Sequence, residues 1–279
     1  MLRIGMIVLS TLMLSGCGVR FVYNQLDWLI PWYLEDYVEL EREQESLFEA
    51  RLQSYLAWHR TDQLPRYSAF LHQVADNAEQ GLTEQDIARI EDQTEQFAQA
   101  LMDRMLNDLI DLLATANDAQ IEQLFEQLQK DNAEYRREYI EVSAEKQREQ
   151  RYKEVIKYAE RWTGRLTDNQ IKHIADRVKK FELMGPEIEV ARLAWQDEFK
   201  RVLALRADRA AYEAAFKKLI SEPDFGRSEE LKRKLAYNSD LAVKLYLELD
   251  KTLTSKQRSH MVKKLRSYAD DFQLLSAQM

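Results

Sequence analysis

Four histidines, His59, His72, His173 and His260, and a single cysteine, Cys17, are the side chains best suited to acid–base, nucleophilic or metal chemistry near neutral pH. The histidines are dispersed, and none has a carboxylate or a second histidine at the spacing of a known helical zinc motif. His72 and Asp76 stand one turn apart, but two ligands hold an ion only with help from elsewhere, so the pair reads as a solvated surface pair. His173 and His260 occupy the same position relative to their helix caps, which reflects shared helix-start geometry and not shared chemistry. No GxSxG, GxGxxG, P-loop or HExxH is present, and 48 acidic residues are too many for two to stand out as general acid and base. No catalytic residue, metal or cofactor is nominated, and the chain is expected not to be an enzyme.

Cys17 is the exception. It ends the sequence MLRIGMIVLSTLMLSGC, in which Arg3 precedes an apolar run from Ile4 to Leu14 and the small residues Ser15 and Gly16. That order predicts a secretory signal over residues 1–16, because a spanning helix needs about 20 apolar residues and this run is far shorter. With one thiol the chain has no internal disulfide and no thiolate metal site, so its core must suffice. Leu14-Ser15-Gly16-Cys17 resembles the lipobox of bacterial lipoproteins. The resemblance implies a diacylglycerol on the Cys17 thiol, cleavage before it and acylation of the new amine, an anchor in which each buried methylene contributes roughly 0.8 kcal/mol. The plain alternative is an ordinary secretory signal with a chance cysteine. Gly18 stands where retention in the inner membrane calls for aspartate in the sorting pattern of enteric bacteria, which points to an outer-membrane anchor facing the periplasm.

Directly behind the cysteine, FVYNQLDWLIPWYLEDYVEL (residues 21–40) crowds together Phe21, Tyr23, Trp28, Trp32, Tyr33 and Tyr37. On a helical wheel Val22, Leu26, Leu29, Ile30, Tyr33 and Tyr37 share one side, while Phe21, Trp28 and Trp32 project about a third of a turn away. Tryptophan and tyrosine favour membrane interfaces, so Trp28, Trp32 and Tyr33 are candidates for a membrane-proximal or binding surface. The competing reading, slightly favoured on the sequence, is an aromatic core helix sandwiched by later helices.

Seven glycines, four prolines and an abundance of Glu, Gln, Leu, Ala, Lys and Arg make this an all-α composition without a sheet. Capping-box patterns at Thr83/Asp86, Asn117/Gln120, Thr167/Gln170 and Thr254/Gln257 predict helix starts. Leu82 with Ile87, and Leu166 with Ile171, supply hydrophobic staples. Together with the glycines and prolines they predict helices near 20–60 with a kink at Pro31, and near 64–79, 84–114, 118–162, 168–184, 187–220, 228–250 and 255–275. An unbroken 118–162 helix would be roughly 65 Å long, so an elongated, partly coiled-coil-like bundle is expected. The apolar stripe fails over EKQREQR (145–151), which reads as a solvated helix face in preference to an exposed bend. Residues 17–40 form the lipidated aromatic segment, and 41–279 a helical periplasmic body, as one domain or as two subdomains meeting near 145–165.

Residues 35–145 carry 26 acids against 9 bases, whereas residues 146–279 carry 21 acids against 29 bases. The favoured reading is acidic helices lying against basic ones and exchanging weak surface ion pairs. The other is a cationic patch of Lys232, Arg233, Lys234, Lys263, Lys264 and Arg266 facing an anionic envelope component. Export removes nucleic acid as a partner.

The aromatic segment, with Trp58-His59-Arg60 and Leu64-Pro65-Arg66-Tyr67, resembles an uncharacterised family of proteobacterial helical lipoproteins, domain of unknown function 6279, over the whole mature length. The resemblance implies a helical, envelope-anchored protein and assigns no activity, leaving Trp58, His59 and Arg60 as a candidate site or packing motif. LTDNQ (166–170) and LTSKQR (253–258) resemble the LTxxQ motifs of small periplasmic chaperones and stress sensors, although a leucine staple and capping box produce the same letters. The expected role is a non-enzymatic scaffold or binding protein, held at the membrane by its lipid and engaging a protein or envelope polymer. The alternative is a chaperone holding unfolded clients.

Overall fold

All four capping boxes form where their residues stand. Thr83 and Asp86, Asn117 and Gln120, Thr167 and Gln170, and Thr254 and Gln257 each exchange side-chain and backbone hydrogen bonds of 2.9–3.3 Å. Two orphan amides are satisfied at each start. The computed structural model describes residues 16–278, with side chains from Gly18 onward. Its helices are α1 (Gly16–Tyr23), α2 (Leu26–Glu35), α3 (Arg42–Trp58), α4 (Leu64–Gln80), α5 (Glu84–Ala114), α6 (Asp118–Tyr139), α7 (Ala144–Thr163), α8 (Asp168–Val178), α9 (Gly185–Ala204), α10 (Arg209–Ser221), α11 (Glu229–Asp250) and α12 (Ser255–Ser276). No strand occurs among the described residues, and the fold is all-α.

The expected helices break at sites that lack a full sequence signature. The 118–162 helix is interrupted between Tyr139 and Ala144, where the Ser143 hydroxyl accepts from the Lys146 amide at 3.2 Å. A serine cap without a Glu or Gln three residues on gives only half a capping box. EKQREQR then lies within α7 as an exposed helical stretch. The 187–220 helix breaks before Asp208, which caps α10 through the Ala211 amide at 3.1 Å. Over 20–60 the chain leaves the helix at Asn24-Gln25 and across 36–41, while Pro31 stays inside α2. The opposite error occurs at 59–63: the chain stays helical there as a π-helical turn, His59–Gln63, leading directly into α4. Finally, α8 ends at Val178, six residues early. Buried Asn238 accepts from the Glu182 amide and donates to its carbonyl, both at 2.9 Å, and so holds that segment out of the helix.

The chain divides into two compact units. The first takes the described residues up to Leu101, Ala159–Leu166 and the residues from Leu249 on; the second takes Met102–Tyr158 and Thr167–Glu248. The units therefore interleave along the sequence. In the first, α12 lies along α4, burying Met261, Val262 and Leu265 against Val74, Ala75, Ala78 and Leu82. Ala75 and Ala78 place only a methyl group at the contact, and each fully buried Val or Leu contributes roughly 1.5–3 kcal/mol. Arg258 of α12 donates to the Ala78 carbonyl at 2.8 Å and pairs with buried Asp250 at 3.1 Å, satisfying a helix-end acceptor as it neutralises the carboxylate.

In the second unit Ile110, Phe199, Val202, Leu203, Tyr212, Phe216 and Leu219 form the core. The Tyr212 hydroxyl donates to the Ile110 carbonyl at 3.3 Å, so the buried phenol keeps a partner. At the start of α9 an added Cβ on Gly185 would stand 2.4 Å from the Tyr139 carbonyl oxygen. Glycine is there for close approach to α6 as well as to interrupt a helix.

Candidate functional site

The residue with the clearest expected chemistry lies in the first turn of α1. Residues 1–15 of the expected signal peptide, and the Cys17 side chain, lie outside what the structure describes. Two residues beyond Cys17, α1 already packs on the first unit. Val19 and Tyr23 are buried with Leu64, Tyr268 and Leu275, and Arg20 pairs with Asp271 of α12 at 3.0 Å. Asp271 is itself buried, and its Oδ2 has no hydrogen-bond partner. Burial pushes its carboxyl up, with Arg20 pulling the other way.

Trp58-His59-Arg60 is the receptor for α1. The π-helical turn begins at His59, whose carbonyl accepts from the Leu64 amide five residues on. The Tyr23 hydroxyl and His59 Nδ1 share a hydrogen bond of 3.0 Å, with their rings stacked at 5.7 Å. Trp58 and Tyr67 meet the imidazole edge-on at 6.4 and 5.4 Å. Arg60 lies over the Tyr23 ring at 5.1 Å and reaches Asn24 Oδ1 at 3.4 Å. Burial lowers His59 to about 4. It raises Tyr23 to about 12, against the opposing charge of Arg60. A neutral imidazole and an un-ionised phenol at neutral pH suit a clamp. The triplet was visible in the sequence; its partner Tyr23 and the π-helical turn that aims it were not.

The aromatic segment does not form a core helix. No residue of α2 is buried, and Phe21, Trp28 and Trp32 are 67%, 52% and 58% exposed. Val22, Leu26, Leu29, Tyr33 and Tyr37 are half-buried, as the other side of the wheel requires, whereas Ile30 at its margin is exposed. Tyr33 shares a hydroxyl hydrogen bond of 3.0 Å with Tyr37 and belongs to that inner side. The core reading fails because later helices pack on α1 and α4, leaving α2 without a second covering layer.

The six candidate cations fall in different units, Lys232, Arg233 and Lys234 in the second and Lys263, Lys264 and Arg266 in the first. Most are engaged by acids or carbonyls of their own unit. Lys232 pairs with Glu229 at 2.9 Å, Arg233 with Glu182 at 2.6 Å and Glu230 at 2.8 Å, and Lys234 with Glu187. Arg266 bridges Asp76 and Glu79 at 2.7 and 2.8 Å. Lys264 donates to the Arg161 carbonyl at 2.6 Å and is held below its ordinary pKa by burial. Lys263 is exposed.

His72 stands 3.4 Å from Asp270, and Asp76 accepts from Arg266, so the expected His72–Asp76 pair is replaced by contacts to α12. His173 meets Glu248 at 2.9 Å, and Arg177 pairs with the same carboxylate. Among the described residues no group of three metal-ligating side chains converges, and no helix is long and apolar enough to cross a membrane. The LTxxQ segments serve as caps, their Gln170 and Gln257 buried, and Gln257 also donates to the Arg165 carbonyl at 3.0 Å.

A family model described as Family of unknown function (DUF6279) matches residues 36–232. The match takes in Trp58-His59-Arg60 and Leu64–Tyr67, but not the lipobox or most of the aromatic segment. The expected likeness over the whole mature length is thereby narrowed. No curated protein and no solved structure matches.

Proposed function

We propose, for a chain that belongs to the Family of unknown function (DUF6279), a lipid-anchored, non-enzymatic role at the cell envelope. The helical body is held at the outer membrane facing the periplasm and engages a protein or envelope polymer. The supporting observation is the docking of α1: Val19, Arg20 and Tyr23 are packed or paired within six residues of Cys17. Acyl chains on Cys17 would therefore hold the folded unit itself, with no linker between anchor and body. Such a connection suits a protein that must present a surface at a set distance from the membrane. The chaperone alternative keeps only the LTxxQ resemblance as its support.

Intact mass of the mature chain tests the anchor. A chain beginning at Cys17 and carrying diacylglyceryl and acyl mass is expected, retained in membranes after an alkaline carbonate wash. Cys17→Ala should lose that mass and be released by the wash. An unmodified Cys17 thiol in the wild type, or a mature end elsewhere, would overturn the reading.

A further inference from the structure

We infer that Phe21, Trp28 and Trp32 form a second membrane contact, a face that enters the interfacial layer of the bilayer beside the acyl chains of Cys17. The inference rests on the lipid-anchor reading above and adds an orientation to it. Single exposed apolar residues are ordinary on protein surfaces, but three large aromatics within twelve positions are not. They are 67%, 52% and 58% exposed.

The helical path is interrupted at Asn24-Gln25, where turn hydrogen bonds lead from α1 into α2. The Asn24 amide donates to the Arg20 carbonyl at 3.1 Å, Gln25 to Val22 at 3.0 Å and Leu29 to Gln25 at 2.9 Å. Cys17 and Phe21 stand four residues apart in α1, and Trp28 and Trp32 four apart in α2. At 3.6 residues per turn each pair falls within an arc of about 40°. The opposite side is committed, since Val19 and Tyr23 are buried and Leu26 packs on their cluster. The aromatic side is thus held outward and cannot rotate into the core.

The chemistry selects the occupant. Residues 21–41 contain no lysine or arginine, and Asp27, Glu35 and Asp36 are exposed along the same helix and its end. Attraction to anionic headgroups plays no part. Indole rings place an apolar body against acyl chains and an N–H toward the wet layer. The Trp28 N–H already donates to Gln25 Oε1 at 2.6 Å, at the helix surface. A zwitterionic lipid surface fits this face.

The test uses the mature full chain in phosphatidylcholine vesicles whose acyl chains are brominated near the headgroup end. Bromine quenches only tryptophans that enter the bilayer. We expect quenching with a blue shift in the wild type, and loss of both in the Trp28→Phe/Trp32→Phe variant, which keeps apolar bulk at exposed positions and the same circular dichroism. Mass spectrometry on the same samples reports Cys17 separately. A lipidated wild type that is not quenched, or a double variant quenched as strongly as the wild type, overturns the inference and leaves the anchor standing. If Cys17 is unmodified the anchor reading falls, and quenching still decides the face: its presence upholds membrane contact and its absence overturns it.

Discussion

At His59 a buried imidazole is held neutral between Tyr23, Trp58 and Tyr67, and its displaced pKa makes the clamp pH-dependent. The folded value is about 4, against an ordinary 6.5. Above pH 6.5 both folded and unfolded chains carry neutral imidazole, and the full stability is present. As pH falls through 6.5 the unfolded chain binds the proton first, so stability is lost progressively until the folded value near 4 is reached. The loss from this group is at most about 3 kcal/mol. Denaturant unfolding at pH 7 and about 4.5 should show a larger loss in the wild type than in His59→Gln, because carboxylate effects such as that at Asp271 are common to both. Equal losses would show that His59 is no clamp. At this scale the Trp58-His59-Arg60 motif was legible as letters only. Its partner is 36 residues away, and sequence spacing carries no trace of that pairing.

Helices obey local rules until a long-range contact outweighs them. Starts with a reciprocal side-chain and backbone exchange, such as Asn117/Gln120, were legible because every participant lies within four residues. The ends at Val178 and Tyr139 were not, since one is set by Asn238 and the other is marked only by the lone serine cap of the helix that comes next. Gly185 tests the distinction. Within a first helical turn alanine has the better intrinsic propensity, by up to about 1 kcal/mol. Yet a methyl group there would meet the Tyr139 carbonyl oxygen at 2.4 Å. Steric conflict should win, and Gly185→Ala should cost about 1–3 kcal/mol, seen as a lower unfolding midpoint with an unchanged denaturant slope. A midpoint that rises would mean propensity governs and the close approach does not constrain α9. The aromatic segment teaches the same lesson for faces: the wheel divided α2 into two apolar sides, but only packing decided which side α3 and the core cluster would take.

Over the whole molecule the formal charge is −8, and the basic excess of the later residues is largely spent on acids within each unit, as at Arg266 with Asp76 and Arg233 with Glu182. An acidic chain whose aromatic segment carries no lysine or arginine gains nothing from anionic lipid. Association of the mature chain with phosphatidylcholine vesicles should therefore be unchanged between about 0.1 and about 1 M salt, where the screening length falls from ~10 to ~3 Å. Adding phosphatidylglycerol should not strengthen it. Binding that collapses with salt would mean a cationic surface, and not the aromatic face, meets the membrane.

The sequence by itself determined the helical class, four capped helix starts, the two-sided character of residues 21–37 and Cys17 as the only thiol. Each depends on composition or on residues within a turn or two of one another. Tertiary structure alone decided the rest. It placed Tyr23 on His59, Arg20 on Asp271 and α12 along α4, interleaved two units along the chain, and left Phe21, Trp28 and Trp32 uncovered. Those outcomes depend on which apolar surfaces find partners far apart in sequence, and periodicity says only that a face must be covered, never by what. The docking of α1 buries Val19, two residues beyond Cys17, in a packed core.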